Sequence, residues 1–522
     1  MGKPGHDKSD IQETDMRDQL SRRGLMKRSA LVSAGVLLGA SGLASSGTHG
    51  CKPKWRGVAF SKLLLHNFGL FDGMENRLQR GLVILIEESR IKSVERQGDL
   101  AGYKDYKILD LGGRTVLPGL IDNHVHITVP FMRKVNPVGA VQMDQQILNN
   151  FRSCVMGGVT TVRDVGGFPG KIIKFRELAD RNEIPGPRVI SSLSPIAARE
   201  GSTLGAPESA PYFTNPVIKW GLGGNYAERP ENVRQIKEAC DRMIKLGAQW
   251  LKTLHQEHPY TYYPRKLPNH SDEGYRAILE AGKRHGIKCA LHEPLRSGFK
   301  KGVELGFHTL EHMPMDGVIA DHDIEKFMKQ GMAIMPTIMI YGDEFIGERI
   351  LRYIEKAKEE KLVVSEAARQ SSASIYTKNM AQKDIEPSEE RLKTIGWEHK
   401  YVLDMFPNVM ANLKKLHGMG AIVGAGSDIG GTPSGFFGRF SDELRHYLAA
   451  GISNFDTLRM ATDVNARIID MQDQVGTIEK GKLADMIVVQ GNPLIDIKAI
   501  DHVKMVFKGG LIVKDNMDMV MG

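Results

Sequence analysis

The sequence predicts an α/β chain: a (β/α)8 TIM-like barrel with a small β-sandwich domain built from both chain ends. Three observations lead there. Between residues 119 and 428, amphipathic helices alternate with short apolar strands. Eight such strands can be counted, and eight parallel βα units close on themselves rather than forming an open sheet. Further short strands, separated by turn residues, flank this region on both sides.

Composition narrows the function classes. The 522 residues are 41% hydrophobic, 25% charged and 7% aromatic, which excludes a collagen-like, mucin-like or wholly disordered chain. A net charge of +8 is mild at this length, and no basic run carries interleaved aromatics, so no nucleic-acid partner is expected. The four cysteines (Cys51, Cys154, Cys240 and Cys289) form no CxxC pair. They argue against a disulfide framework and against a cysteine-based zinc or redox site.

The first fifty residues read as a targeting segment. Ser21-Arg22-Arg23-Gly24-Leu25-Met26-Lys27 precedes an uncharged stretch from Ser29 to His49, rich in Ala, Gly, Ser and Leu. The paired arginines resemble a twin-arginine export signal, with Leu25-Met26 where Phe-Leu is usual. This predicts an exported, periplasmic or extracellular protein. Cleavage after Ser46, lipid attachment at Cys51 and a retained anchor all remain open, so membrane attachment through Cys51 is one expectation.

From Lys62 the strands Lys62–Leu65, Leu82–Ile86, Arg90–Val94 and Lys107–Leu111 begin the small domain. The barrel strands are then Thr115–Leu117 leading to His124, Val159–Arg163, Arg188–Ser192, Gln249–Lys252, Ile287–His292, His308–His312, Ala333–Thr337 and Ala421–Asp428. The helix over 231–249 shows the connecting pattern. Val233, Ile236, Cys240, Met243 and Ile244 share a face, and Gly247 closes it. Ser271 caps the next helix and Gly286 stops it. Tyr341 to Lys400 is charged and longer than one connection needs, so it reads as an inserted helical hairpin or lid. After Gly476, Ala484–Val489 and Met505–Val513 return to strand patterning. The expected divisions are a signal over 1–50, small-domain parts over 51–118 and 475–522, and a barrel over 119–474 with an insertion at about 341–400.

His124-Val125-His126 is the first chemical signal. Two-residue spacing on an extended backbone points both imidazoles to one side, where one metal can take both. Alone, the pair reads more readily as ordinary loop histidines. Its context adds Lys252 at the end of strand 4, His292 at strand 5, His312 at strand 6 and Asp428 at strand 8. Strand C-termini meet on one barrel face, so these residues converge. Four imidazoles, one carboxylate and one lysine suit one or two divalent cations of the zinc type.

Several segments resemble the metal-dependent amidohydrolase superfamily. They are Leu117-Pro118-Gly119-Leu120-Ile121-Asp122-Asn123-His124-Val125-His126, Gly157-Gly158-Val159-Thr160-Thr161-Val162-Arg163-Asp164, Gly424-Ala425-Gly426-Ser427-Asp428, and 476–485 near the return to the small domain. The resemblance covers roughly residues 60–522 in order. Lys252, after Gly247-Ala248-Gln249, is similar to the strand-4 lysine of the imidazolonepropionase-like and Xaa-Pro dipeptidase-like branch. The resemblance implies that His124, His126 and Asp428 hold one metal and His292 and His312 a second. Lys252, carbamylated by carbon dioxide, would bridge two zinc ions. It also implies that Asp428 takes a proton from a metal-bridging hydroxide's parent water during cleavage of a C–N bond.

Two departures lie in substrate territory. His292-Glu293-Pro294 replaces the His-Ala-His-Gly often found in that branch, and 253–263 replaces a small Gly/Ser-rich turn. His255 and His258 read as pocket or surface residues rather than ligands. Tyr260, Tyr262 and Tyr263 read as packing or stacking aromatics, Glu200 as a loop carboxylate, and His308 as facing away from His312. The expected substrate is a small molecule: a dipeptide, an N-acyl amino acid or a cyclic amide. The alternatives are a lactonase or other ester hydrolase, a mononuclear deaminase, which Lys252 argues against, and a secreted metal-binding protein without turnover.

Overall fold

Alternation along β1 (Lys62–His66) sets up the small domain. Leu63 and Leu65 point into one apolar cluster, and Leu64 into another on the opposite side. β1 pairs antiparallel with β3 (Leu82–Glu87) and parallel with β5 (Lys107–Asp110), and β4 (Arg90–Arg96) completes this sheet. A second sheet has the order β17 (Leu511–Asp515), β16 (Val503–Lys508), β15 (Met486–Val489), β6 (Thr115–Pro118), β2 (Gly69–Leu70). The two sheets share one core in which Leu63, Ile84 and Ile86 of the first meet Val116, Met486 and Phe507 of the second. Strands from both ends of the chain therefore meet in one sheet, with β15 running antiparallel to β6.

This computed structural model describes residues 57–129, 137–202, 224–258, 266–341, 398–430 and 437–517. The export segment, Cys51, most of the expected insertion and Tyr260, Tyr262 and Tyr263 lie outside the described residues.

Eight parallel strands follow β6. β7 (Leu120–Val125), β8 (Val159–Asp164) and β9 (Arg188–Ser191) form one sheet. β10 (Trp250–Leu254), β11 (Lys288–His292), β12 (Thr309–Glu311), β13 (Ala333–Met335) and β14 (Ile422–Val423) form another, in chain order. Regular ladders are confined to these two sheets. Single parallel bridges stand at the two seams, Ile196 with Thr253 and Val125 with Ile429. The result is a TIM-barrel-like α/β domain. Near-continuous burial along β7, β8 and β10 is what a parallel strand covered on both faces requires.

The helices are α1 (Pro137–Met156), α2 (Pro169–Asp180), α3 (Val233–Lys245), α4 (Asp272–His285), α5 (Arg296–Leu305), α6 (Asp321–Lys329), α7 (Glu398–Gly418), α8 (Phe440–Ala449), α9 (Asn454–Met460) and α10 (Asp463–Ile468). Their ends follow local chemistry. The Asn232 side chain accepts from the Gln235 N–H at the start of α3, and Ser271 does the same for Gly274 at α4. Such a cap contributes about 1 kcal/mol. α4 carries Asp272 and Glu273 in its first turn and Lys283, Arg284 and His285 in its last, matching the helix dipole.

Three strand assignments differ from the sequence reading. Thr115–Leu117 is not the first barrel strand but β6 of the small domain. At Gly119 the chain changes partners: its N–H donates to Asp485 O, and the Leu120 N–H donates to Gly158 O. A Cβ on Gly119 would lie 2.2 Å from Thr160 Oγ1, so only glycine permits the crossing. Met505–Val513 is two strands, because Gly509 and Gly510 both take positive φ, 53° and 76°, as a tight hairpin turn needs. Lys252 lies inside β10 rather than at its end, since Thr253 and Leu254 still pair with Leu291 and His292.

Two lysines tie the small domain to the barrel helices. Lys514 Nζ donates to Met156 O at the end of α1, and Lys508 Nζ to Ala179 O at the end of α2. Both satisfy carbonyls that a helix terminus leaves open. Burial brings the Lys508 amine down to about 8, with Arg188 adding to the effect. The unfolded chain therefore binds more protons at this residue between about pH 8 and 10.5, and stability should rise with pH across that window. Urea denaturation at pH 7.5 and pH 10 should show this rise in the wild type. In Lys508→Met the slope should flatten by roughly 1–3 kcal/mol. An unchanged slope would refute the assignment.

Candidate metal centre

The His124–Asp428 seam is where β7 meets the chain beyond β14. His124 lies near the end of β7 and His126 just past it, where the register against β8 shifts between Asp122 and Val125. Such a bulge re-aims side chains at a barrel rim. Across the seam Asn123 N–H donates to Ala425 O, His126 N–H to Ile429 O, and Asp428 N–H to His124 O at 2.7 Å. A Cβ on Gly426 would stand 2.7 Å from His124 Cβ, so this motif glycine allows the close approach. Asn465 of α10 staples the same place, donating to both Ile121 O and Ala425 O. Asp122 accepts from Ser427 N–H and Oγ–H, fixing the residue before Asp428, and burial carries its carboxyl up to about 7.

These braces bring Asp428 Oδ1 within 3.3 Å of His124 Nε2 and 3.2 Å of His126 Nε2. One ligand atom from each of the three lies within 4.8 Å of the others, and all three residues are buried. The histidine rings continue in a chain. His124 and His312 centroids are 5.0 Å apart, and those of His312 and His292 are 4.4 Å apart. Lys252 is buried, and its amine lies in the fields of Glu311, Arg163 and Asp428. All six residues expected at the site thus gather at one mouth. His124, His126 and Asp428 are within common ligating reach, while His312, His292 and Lys252 stand beside them.

Each imidazole is held by its other nitrogen. His124 Nδ1 bonds Glu311 Oε2 at 2.7 Å, His126 Nδ1 donates to Gly166 O at 2.7 Å, and His312 Nδ1 meets Thr337 Oγ1 at 2.8 Å. These anchors direct Nε2 inward, the arrangement that histidine ligands adopt around metals. His292 is held through Nε2 instead, 3.1 Å from Gln256 Oε1. Among the described residues, His312 Nε2 and Lys252 Nζ are buried without a hydrogen-bond partner. Buried polar atoms without partners are costly, and an ion or modification is one standard reason for keeping them. The donor set therefore fits divalent cations of the zinc type.

Electrostatics agree. Burial, then neighbouring positive charge, holds His292 well below the usual histidine range. Burial also holds His312 there, against the pull of Asp428, so both rings are neutral lone-pair donors. Burial alone would raise the Asp428 carboxyl, but His124 and His126 hold it well below the usual carboxylate range. For His126, burial is outweighed by Asp428 and Asp164, and its value rises. Burial brings the Lys252 amine down to about 8.

Sequence reasoning missed the supports. Glu311 also bonds Arg163 through both oxygens at 2.7 Å, and Arg163 reaches Asn123 O and stacks 4.6 Å from the Trp250 ring. The available signal was an arginine within the Val159–Asp164 strand of the barrel, since a charge buried there needs a partner. His255 stands outside the cluster, its Nδ1 3.1 Å from the Tyr275 hydroxyl and its Nε2 3.9 Å from Glu257. His308 Nδ1 accepts from the Cys289 N–H, beside a groove formed by the other ends of the strands.

A model of the Amidohydrolase family matches residues 115–513. The enamidase of Eubacterium barkeri is 28% identical over 115 residues, which are 21% of this chain and 28% of the enamidase. A solved Xaa-Pro dipeptidase with bound methionine in the active site has a TM-score of 0.65 at 24% identity, covering 87% of this chain and 99% of that one. The A. niger ochratoxinase has a TM-score of 0.66 at 17% identity, covering 87% of this chain and 96% of its own. The structural likenesses show a shared fold. The family match takes in both the barrel strands and the strands that return to the small domain, and the chain belongs to the amidohydrolase family.

Proposed function

We propose that this protein is a metal-dependent hydrolase that cleaves a carbon–nitrogen bond, amide or peptide-like, in a small-molecule substrate. The observation that carries this reading is the meeting of His124, His126 and Asp428 with His312 Nε2 and Lys252 Nζ, two buried atoms without a hydrogen-bond partner among the described residues. Family membership supports the reaction class, and a relative named enamidase and a neighbour named Xaa-Pro dipeptidase point the same way.

On this reading His124, His126 and Asp428 would hold one zinc ion and His292 and His312 a second, with carbamylated Lys252 as a ligand shared between them. Bound cations would polarise the scissile carbonyl and acidify the attacking water. The chain's own residues do the rest. Asp428, ionised at neutral pH, accepts the proton of that water. It then delivers the proton to the departing nitrogen, which leaves as a neutral amine. Lys252 must be neutral to take up carbon dioxide, and burial, by bringing the amine down to about 8, enlarges the neutral fraction near neutral pH. Gln256 and Glu293-Pro294 beside His292 are where this chain departs from its branch, so substrate choice is assigned to that side. Dipeptides, N-acyl amino acids and cyclic amides are the candidates.

The paired sheets are read as a β-sandwich beside a barrel spanning about 119–474. The segment around Arg22-Arg23 is read as a twin-arginine signal for export to the periplasm or beyond.

Metal analysis of the purified protein should give about two zinc equivalents. Lys252→Ala should lose roughly one of them and most activity, and unchanged metal content would remove the carbamate assignment. Asp428→Asn should lower kcat by about 10²–10⁴ while KM on a dipeptide moves only a few-fold. Retained turnover would contradict the proton role, and turnover of lactones alone would move the assignment to ester hydrolysis. Arg22→Lys/Arg23→Lys should leave the chain in the cytoplasm on cell fractionation, and undiminished export would contradict the signal assignment.

A further inference from the structure

The loop after β10 contains a side chain with three connections. Gln256 is 2% exposed. Its Nε2 donates to His258 O at 2.8 Å, which fixes the orientation of the amide. Oε1 therefore faces the other way and accepts, taking Ser202 Oγ–H at 2.6 Å and His292 Nε2–H at 3.1 Å. The backbone of Gln256 is clamped as well. Its N–H donates to Asn269 Oδ1 at 2.8 Å, and its C=O accepts from Asn269 Nδ2 at 3.3 Å.

Three separate pieces of chain thus meet at one amide. Ser202 belongs to the loop after β9, whose Ile196 bridges to Thr253. His258 and Asn269 belong to the connection between β10 and α4. His292 ends β11 and is a proposed metal ligand. Both loops leave strand C-termini, the face on which a barrel binds its substrate. His124 is held by the strand residue Glu311, and His126 and His312 by Gly166 O and Thr337 Oγ1 just past β8 and β13; at His292 the holding group is a side-chain amide that is itself gripped by two loops.

We propose that Gln256 is a positioning residue that couples the loops after β9 and β10 to His292, so that order in these loops and metal occupancy at His292 depend on each other. The inference rests on the metal-dependent reading above. An acceptor at Oε1 keeps the His292 proton on Nε2 and the lone pair on Nδ1. Loss of either loop's grip frees the amide to rotate and the ring with it. Linkage is reciprocal: if loop order favours metal at His292, metal there must favour loop order by the same free energy. A substrate that settles the two loops would also secure the metal ligand.

The test is hydrogen exchange by mass spectrometry on the full chain, without zinc and with zinc, together with zinc affinity by chelator competition. In the wild type, zinc should slow exchange in peptides covering 196–202, 255–258 and 266–270. Gln256→Ala should abolish that zinc-dependent protection and weaken the more labile zinc by about 10–100-fold. Gln256→Glu, which keeps an acceptor for His292 and Ser202, should restore most of the affinity. Ser202→Ala should remove protection over 196–202 and keep it over 255–258 and 266–270, which provides a reading should Gln256→Ala fail to fold. If the wild type binds two zinc ions but neither Gln256→Ala nor Ser202→Ala alters protection or affinity, the coupling is wrong and the metal reading stands. If the wild type binds no zinc, the metal reading falls and the coupling falls with it.

Discussion

A buried ion pair inside the barrel underlies the centre. Arg163 and Glu311 are each fully buried, and neither charge could remain there alone. Removing one partner of such a pair typically costs about 3–5 kcal/mol, because the other is left without solvation. Here the pair is embedded in further contacts. Trp250 lies against the guanidinium, Thr309 donates to Glu311, and Asn123 O accepts from Arg163 Nε. The pair spans from β8 to β12, and Glu311 spends one oxygen on His124 Nδ1. The carboxylate that neutralises Arg163 thus also sets the tautomer of the first histidine of the site. Stability of the barrel interior and orientation of a ligand are one interaction seen from two sides.

Backbone conformation shows the same economy. His312 and Asp428 hold φ of 81° and 54°, and Thr337, which holds His312, has φ of 48°. Left-handed conformations cost roughly 1–3 kcal/mol for residues with a Cβ, and they cluster where a side chain must be aimed. Hydrogen bonds across the strands offset that cost: His312 N–H donates to Met335 O and Asp428 N–H to His124 O. A ladder that simply continued would carry these side chains past the mouth. The turns out of β12 and beyond β14 bring them back over it.

The small domain contributes through the helix ends it caps. Lys508 and Lys514 reach from its sheet to the last carbonyls of α2 and α1, the helices on either side of β8. β8 carries Arg163, so the domain built from both chain ends braces the strand on which the interior ion pair depends. Asn465 and Asp122 do comparable work at the β7 seam, where regular pairing gives out and individual side chains close the gap.

Much of this was written locally. Short apolar runs between turn residues placed the strands of the small domain, Ser271 and Gly286 bounded a helix through capping and a left-handed turn, and the strand-end positions of His124, His126 and Asp428 put them within reach of one another. The change of partner at Gly119 was not legible, because pairing depends on what lies across from a strand and not on the strand's own pattern. The same limit hid Glu311 behind His124 and Gln256 behind His292, contacts that join residues 187 and 36 positions apart. The sequence by itself determined the residue types of the candidate site and the end of the barrel on which they fall, since strand direction and residue chemistry are local properties. Only the tertiary structure decided which ring nitrogen each histidine offers and which carboxylate each buried cation meets. Those choices are made by hydrogen bonds between distant strands, in a space where an unmet polar group has no water to turn to.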